Sequence, residues 1–94
     1  MTAATPNIHT LNDVTLYHRP TCGFCMRVYR ALDAMNLQIA DANISTDHDA
    51  RTRLYKEGGR SQVPALRIDR PDGSAEWMFE SLDIIDYLQT RIRA

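Results

Sequence analysis

Apolar and polar positions alternate with changing period along this chain, and the changes mark its elements. Residues 14–18 (VTLYH) are β-branched and aromatic and predict a strand that Pro20 ends. From Cys22 to about Asn36, the apolar residues Met26, Val28, Tyr29, Leu32 and Met35 include the spacing 28, 32, 35 of one helical face, with Arg27, Arg30 and Asp33 on the wet side. Residues 38–44 (QIADANI) read as a second, weaker strand. The following Ser-Thr-Asp starts a second helix, with Thr46 and Asp49 as its capping box, which runs to Glu57 before Gly58 and Gly59. Arg51, Arg53 and Lys56 fall in its middle and last turns, where the helix dipole favours cations. Residues 63–69 (VPALRID) and 74–79 (SAEWMF) are two strands joined by a turn in which Pro71 presets φ and Gly73 can take positive φ, which makes a hairpin. Ser81 then caps a third helix with an inner stripe of Ile85, Leu88 and Ile92, flanked by Ile84 and Tyr87.

The order is βαβαββα. A helix between the first two strands makes them parallel with a right-handed crossover, and the hairpin makes the last two antiparallel. The expected fold is α/β: a four-stranded mixed sheet flanked by three helices over residues 13–94, preceded by a flexible arm over residues 1–12, which are small and polar and include Pro6. Ninety-four residues hold one core and leave no room for a second domain.

Charge narrows the function classes. The net charge of −1 gives no general reason to bind nucleic acid or acidic lipid, and any electrostatic function must be local. The opening MTAATPNIHTLNDV has no basic start followed by an apolar run, and no window approaches the length of a membrane span, so a cytoplasmic protein without a membrane partner is expected. In a reducing cytosol, a C-x-x-C pair is more often catalytic or metal-binding than a structural staple.

That pair is Cys22 and Cys25. At the start of a helix, Cys22 lies among unpaired backbone N–H groups and the positive end of the macrodipole, which favour thiolate over thiol, and Arg19 adds a nearby positive charge. Cys25 is one turn on, within the Cα separation of roughly 4.4–6.8 Å that a disulfide needs. Cys22 is therefore expected to attack and Cys25, more enclosed, to resolve a mixed disulfide. A structural disulfide fits less well, because so short a loop constrains the unfolded chain little. Zinc lacks ligands, since only His18 is near and His9 and His48 sit in unrelated segments.

Val63-Pro64 opens the third strand, where a proline would forfeit a ladder bond. A cis bond there would turn the N–H and C=O of Val63 outward to pair with an incoming peptide beside Cys22, while a trans proline at a strand start is the ordinary alternative.

Together the segments RPTCGFC, GGRSQVPAL and FESLDIIDYL, in this order and spacing, resemble a glutaredoxin of the thioredoxin fold over residues 14 to about 92. The resemblance implies glutathione-dependent thiol–disulfide exchange, acting on disulfide-containing or glutathionylated proteins. Cys22 would form the mixed disulfide with glutathione and Cys25 would be the second thiol. It implies Arg19 near the glycine carboxylate of glutathione, Gln62, Val63 and Pro64 along its cysteinyl unit, and Glu80, Ser81 and Asp83 at its γ-glutamyl end. The N–H groups at the start of the last helix independently suit a carboxylate.

Three positions depart from the family pattern: Gly23 stands for a proline, Gln62 for a threonine, and Phe-Glu-Ser for the usual Gly-Gly lead into the last helix. ESLDIIDYL is closer to the amino-terminal domain of glutathione S-transferases, whose large helical domain this chain lacks. Cys-Gly-Phe is similar to [2Fe–2S] carriers, in which two chains and two glutathiones hold a cluster through the first cysteine. The alternative is therefore a homodimer with Cys22 as ligand, against a monomer that needs no metal. Such carriers usually have serine where Cys25 stands, which favours redox work.

Phe24 either flanks the substrate groove or packs on the sheet edge, whereas Trp77 and Tyr17 are expected to be packing residues. The arginines at 27, 30, 51, 53 and 60 read as solvated, with one or two of them steering anionic glutathione.

Overall fold

The computed structural model describes residues 8–93. Seven elements follow in the order β1 (His9–His18), α1 (Gly23–Met35), β2 (Leu37–Asn43), α2 (His48–Gly58), β3 (Ala65–Asp69), β4 (Ala75–Met78) and α3 (Ser81–Arg93). They build one four-stranded sheet in the order β2-β1-β3-β4. β1 runs parallel to β2 and antiparallel to β3, and β3 is antiparallel to β4. This is the mixed α/β sheet of the thioredoxin-like fold expected from the sequence.

Strand alternation divides the core in two. Val14 and Leu16 of β1 and Leu66 and Ile68 of β3 join Val28 of α1 with Ile84 and Leu88 of α3 in one cluster. Tyr17 and Ala65, one residue out of phase, join Ala50 and Leu54 of α2 with Cys25 and Val63 in the other. Each fully buried aliphatic side chain contributes about 1.5–3 kcal/mol, so both faces of β1 and β3 are held by apolar burial.

Some boundaries differ from the sequence reading. β1 begins at His9, because His9 and Thr10 pair with Leu37 and Gln38 across a register shift that ends at Thr15. Residues 9–12 thus belong to the sheet rather than to an arm, and the rest of the predicted arm lies outside the described residues apart from Ile8. The cap of α2 is Asp47, whose carboxylate accepts the Ala50 N–H at 3.0 Å. Thr46 is committed instead to the preceding turn, donating its hydroxyl to the Asn43 carbonyl.

On α3, Glu80 supplies the first helical carbonyl, to the Ile84 N–H at 2.9 Å, so Ser81 is the first helical residue and not the cap. The deepest stripe is Ser81, Ile84 and Leu88, with Ile85 and Ile92 only half-buried. On α1, Met26 is exposed and Cys25 takes the inward place beside Val28.

Candidate active site at the start of helix α1

A tight turn delivers the cysteines. The Cys22 N–H bonds back to the Arg19 carbonyl at 3.1 Å, which leaves Cys22 as the extended N-cap of α1. Its Sγ accepts the Cys25 N–H at 3.4 Å, as an N-cap side chain does. Both cysteines are thiols; Cys22 is partly exposed and Cys25 is 0% exposed.

Electrostatics then separates the two sulfurs. Burial raises the Cys22 thiol, but hydrogen bonds from the Cys25 backbone and thiol and from the Phe24 backbone, together with the Arg19 charge, outweigh it and hold Cys22 below its ordinary value. Burial pushes Cys25 up to about 11, reinforced by the charge on Cys22 and opposed by a backbone bond from Arg19. One sulfur is a nucleophile in waiting and the other a protected thiol.

The segment before β3 meets them. Cys22 Sγ lies 3.7 Å from the Val63 carbonyl oxygen, and the Val63–Pro64 peptide bond is cis. Gln62, Val63 and Pro64 share a cleft of about 70 Å³ with Glu80 and Ser81 from the start of α3, and Phe24 and Phe79 line it too. Phe24 is 60% exposed and lines this cleft. Asp83 is exposed on the first turn of α3 and does not line the cleft.

A polar cavity of about 250 Å³ is lined by Arg19, Ile44, Ser45, Arg51 and Ser61. Cys22 has a neighbour in each space, since its thiol lies 3.7 Å from the Val63 carbonyl and the Arg19 charge lowers it. Arg51, Ser45 and Ser61 had no individual signal in the sequence beyond a string of basic and small polar residues; only the close of α2 onto the 59–62 loop brings them together. Phe79 was likewise missed. It stacks on Trp77 at 6.4 Å between centroids, with the Arg60 guanidinium 4.8 Å above its ring. Trp77 packs on Tyr17 at 4.8 Å, as a packing residue should, although its buried Nε1 has no partner among the described residues.

The glutaredoxin family model matches residues 14–70, more than half of the chain, and takes in both cysteines and the Val63-Pro64 pair. The chain belongs to the glutaredoxin family. A curated glutaredoxin-like relative of 8.6 kDa, from the rubredoxin operon of Clostridium pasteurianum and uncharacterised, is 29% identical over 56 residues, covering 60% of this chain and 75% of its own. Among solved structures, the thioredoxin-like protein BC3987 is 26% identical with a TM-score of 0.60, covering 82% of this chain and 96% of its own. TDR1 of Leishmania, a trimeric glutathione transferase, is 26% identical with a TM-score of 0.66, covering 83% of this chain but only 17% of its own.

For a glutaredoxin, this arrangement supports thiol–disulfide redox chemistry in general: a half-exposed, acidified sulfur at a helix N-terminus backed by a buried second thiol. Among the described residues, no group of three or more His, Cys, Asp or Glu side chains is placed to hold a metal ion, and no helix is long and apolar enough to cross a membrane.

Proposed function

We propose that the protein is a glutathione-dependent thiol–disulfide oxidoreductase that reduces glutathionylated proteins and protein disulfides, acting as a cytoplasmic monomer. The observation that carries this reading is the asymmetry of the dithiol beside the Val63 carbonyl: Cys22 lowered and accessible, Cys25 raised and buried.

On a glutathionylated protein, the Cys22 thiolate attacks the glutathione sulfur, and the protein leaves as its thiol. A second glutathione then attacks the mixed disulfide, restoring Cys22 and releasing glutathione disulfide. On a protein disulfide, Cys22 attacks one sulfur and the other leaves as a thiol; Cys25 then attacks Cys22 Sγ and expels the first sulfur as the second thiol. Two glutathiones later reduce the Cys22–Cys25 bond, so each disulfide reduced consumes two glutathiones and yields one glutathione disulfide.

Glutathione would lie along the groove with its glycine carboxylate at Arg19 and Arg51, its cysteinyl unit beside Val63 and Pro64, and its γ-glutamyl end at Glu80 and Ser81 with Asp83 nearby. Two arginines and the N–H groups at the start of α3 suit the two carboxylates. Gln62 contributes a polar wall between these ends.

Turnover of a glutathione mixed disulfide, coupled through glutathione reductase to NADPH, tests the reading. Cys22→Ser should be inactive and Cys25→Ser active. Turnover retained in Cys22→Ser would overturn it.

A [2Fe–2S] cluster bridging two chains through Cys22 and two glutathiones is the second reading. Cys22 is the one cysteine with exposed surface, and the space around the Gly23 Cα is open, with nothing within 4 Å of where a Cβ would stand. A coloured dimer purified anaerobically with glutathione would support it, and a colourless monomer would not.

A further inference from the structure

A hollow of about 460 Å³ lies away from the thiol cleft, between α1 and β2. Parallel pairing of Leu16 with Asp41 sets these two side chains on one face of the sheet, and the alternation of β2 brings Leu37 and Ile39 to that face as well. α1 packs closely on α3 and only lightly on β2. This outer part of the sheet is therefore left uncovered, and Leu32 and Ile39 stay half-buried where they line the hollow.

The polar wall carries one sign of charge. The Tyr29 hydroxyl is 2.5 Å from His18 Nδ1, and His18 Nε2 is 2.6 Å from Asp41 Oδ2. This chain holds the Asp41 carboxylate at the rim, 62% exposed, with its other oxygen unpartnered among the described residues. Asp33, on the α1 side, makes no hydrogen bond or ion pair through its carboxylate among the described residues. No lysine or arginine lines the hollow.

β2 adds an independent feature. It is an outer strand of the sheet, so the N–H and C=O groups on its far side face no strand among the described residues. Edge strands are commonly guarded by lysine or proline. β2 (LQIADAN) has neither, and Ala40 and Ala42 present little bulk. An open edge thus borders a hollow that is apolar at its floor and acidic at its rim.

We propose that β2 and the hollow beside it dock an extended segment of a partner protein, with a basic residue opposite Asp41 followed at alternate positions by apolar residues opposite Ile39 and Leu37.

Antiparallel addition to the edge gives that order, because the partner then runs from Asp41 toward Leu37 while every second side chain turns to the hollow. The basic group meets the free oxygen of Asp41 and the Asp33 carboxylate, and the apolar side chains cover Leu32, Leu37 and Ile39. The end of β2 adjoins the redox centre. Ile44 donates its N–H to the His18 carbonyl at 3.0 Å, and Arg19, the next residue along, begins the turn that delivers Cys22. A protein held on β2 is held near the cysteines but outside the cleft at Val63, so the proposal does not depend on the glutathione reading.

NMR titration of the isotope-labelled, reduced protein with the peptide acetyl-Gly-Lys-Thr-Val-Thr-Leu-Gly-amide tests this. Amide signals of Leu37–Asn43 and of Asp33 should shift saturably, and hydrogen exchange along β2 should slow in the complex. Glutamate in place of the peptide lysine should weaken binding about tenfold, since like charges then meet. The double variant Asp33→Asn, Asp41→Asn should bind the lysine peptide about tenfold more weakly and keep its fold, because both carboxylates are at the surface. Absence of saturable binding overturns the proposal, as does equal affinity for the two peptides or equal affinity of the variant and the wild type. Shifts confined to Phe24, Val63 and Phe79 would put the peptide in the thiol cleft and overturn it too. So would concentration-dependent broadening of the β2 amides without peptide, which would make the occupant a second copy of this chain.

Discussion

Cys22 Sγ and the Val63 carbonyl oxygen, 41 positions apart in sequence, stand 3.7 Å apart at the tip of α1. This contact places the reactive sulfur at the end of a backbone segment rather than in an open bowl, so a substrate reaching the sulfur must also meet residues 62–64. The consequences divide between the sulfur and the groove.

The sulfur should betray its environment by its pH profile. In Cys25→Ser, the rate of alkylation by iodoacetamide should rise with pH through a midpoint below the ordinary 9.0 of a cysteine. In Cys22→Ser, the remaining thiol should resist alkylation in the folded protein, because Cys25 is fully buried and burial, the largest cause of its raised value, remains. A midpoint at or above 9.0 in the first variant would contradict the N-cap account of its thiolate.

The two thiols should also pull stability in opposite directions. Between its lowered folded value and 9.0, Cys22 binds fewer protons folded than unfolded, so its contribution grows as pH rises and is lost as pH falls through the folded value. Between 9.0 and about 11, Cys25 binds more protons folded than unfolded, so its contribution declines as pH rises. The difference in unfolding free energy between the reduced protein and the double variant Cys22→Ala, Cys25→Ala should therefore peak near 9.0 in urea titrations. A monotonic difference across that range would show that one of the two shifts is absent.

Arg19 and Arg51 line the same cavity, but only Arg19 contributes to the charge on Cys22. Arg51→Ala should raise the KM for glutathione about tenfold, which corresponds to ~1.4 kcal/mol of lost binding, and should leave the alkylation profile of Cys22 in place. Arg19→Ala should do both: weaken glutathione and move the profile to higher pH. Equal profiles in the two variants would remove the distinction.

Gly58 ends α2 beside the stacked Trp77 and Phe79, of which Phe79 borders the groove. A Cβ there would come within 3.1 Å of Phe79 Cζ and 3.3 Å of Trp77 Cδ2. Gly58→Ala gains helix propensity of about 1 kcal/mol and loses a similar amount to overpacking, so stability should change little. The displaced ring of Phe79 should nevertheless alter Trp77 fluorescence and weaken glutathione binding. Unchanged fluorescence and KM would mean that Phe79 does not shape the groove.

Much of this was legible before any coordinates. The strands with β-branched residues, the Pro-Asp-Gly turn and the C-x-x-C at a helix start are local signals, and they placed Cys22 and Ser81 at the right helix starts, whereas Val63 and Pro64, read as the opening of the third strand, precede β3, which begins at Ala65. What escaped depended on tertiary company. His9 and Thr10 are polar and read as coil, yet pairing with β2 makes them strand. Ile84 and Ile85 are adjacent and equally apolar, so only packing against α1 and β3 decides which one turns inward. The Tyr29–His18–Asp41 chain joins residues 11 and 23 positions apart, and no spacing rule links a helix, a strand end and an edge strand.

The sharing of β1 and β3 between two cores leaves no separable half to this molecule. Leu16 and Tyr17 are neighbours in sequence that answer to opposite clusters, and Leu66 and Ala65 do the same across from them. Opening either face exposes the backbone of the strands that floor the other. The amides of β1 and β3 should therefore exchange with deuterium most slowly and at a common rate, while those of the short outer strand β4 and of the turn at Gly73 exchange first.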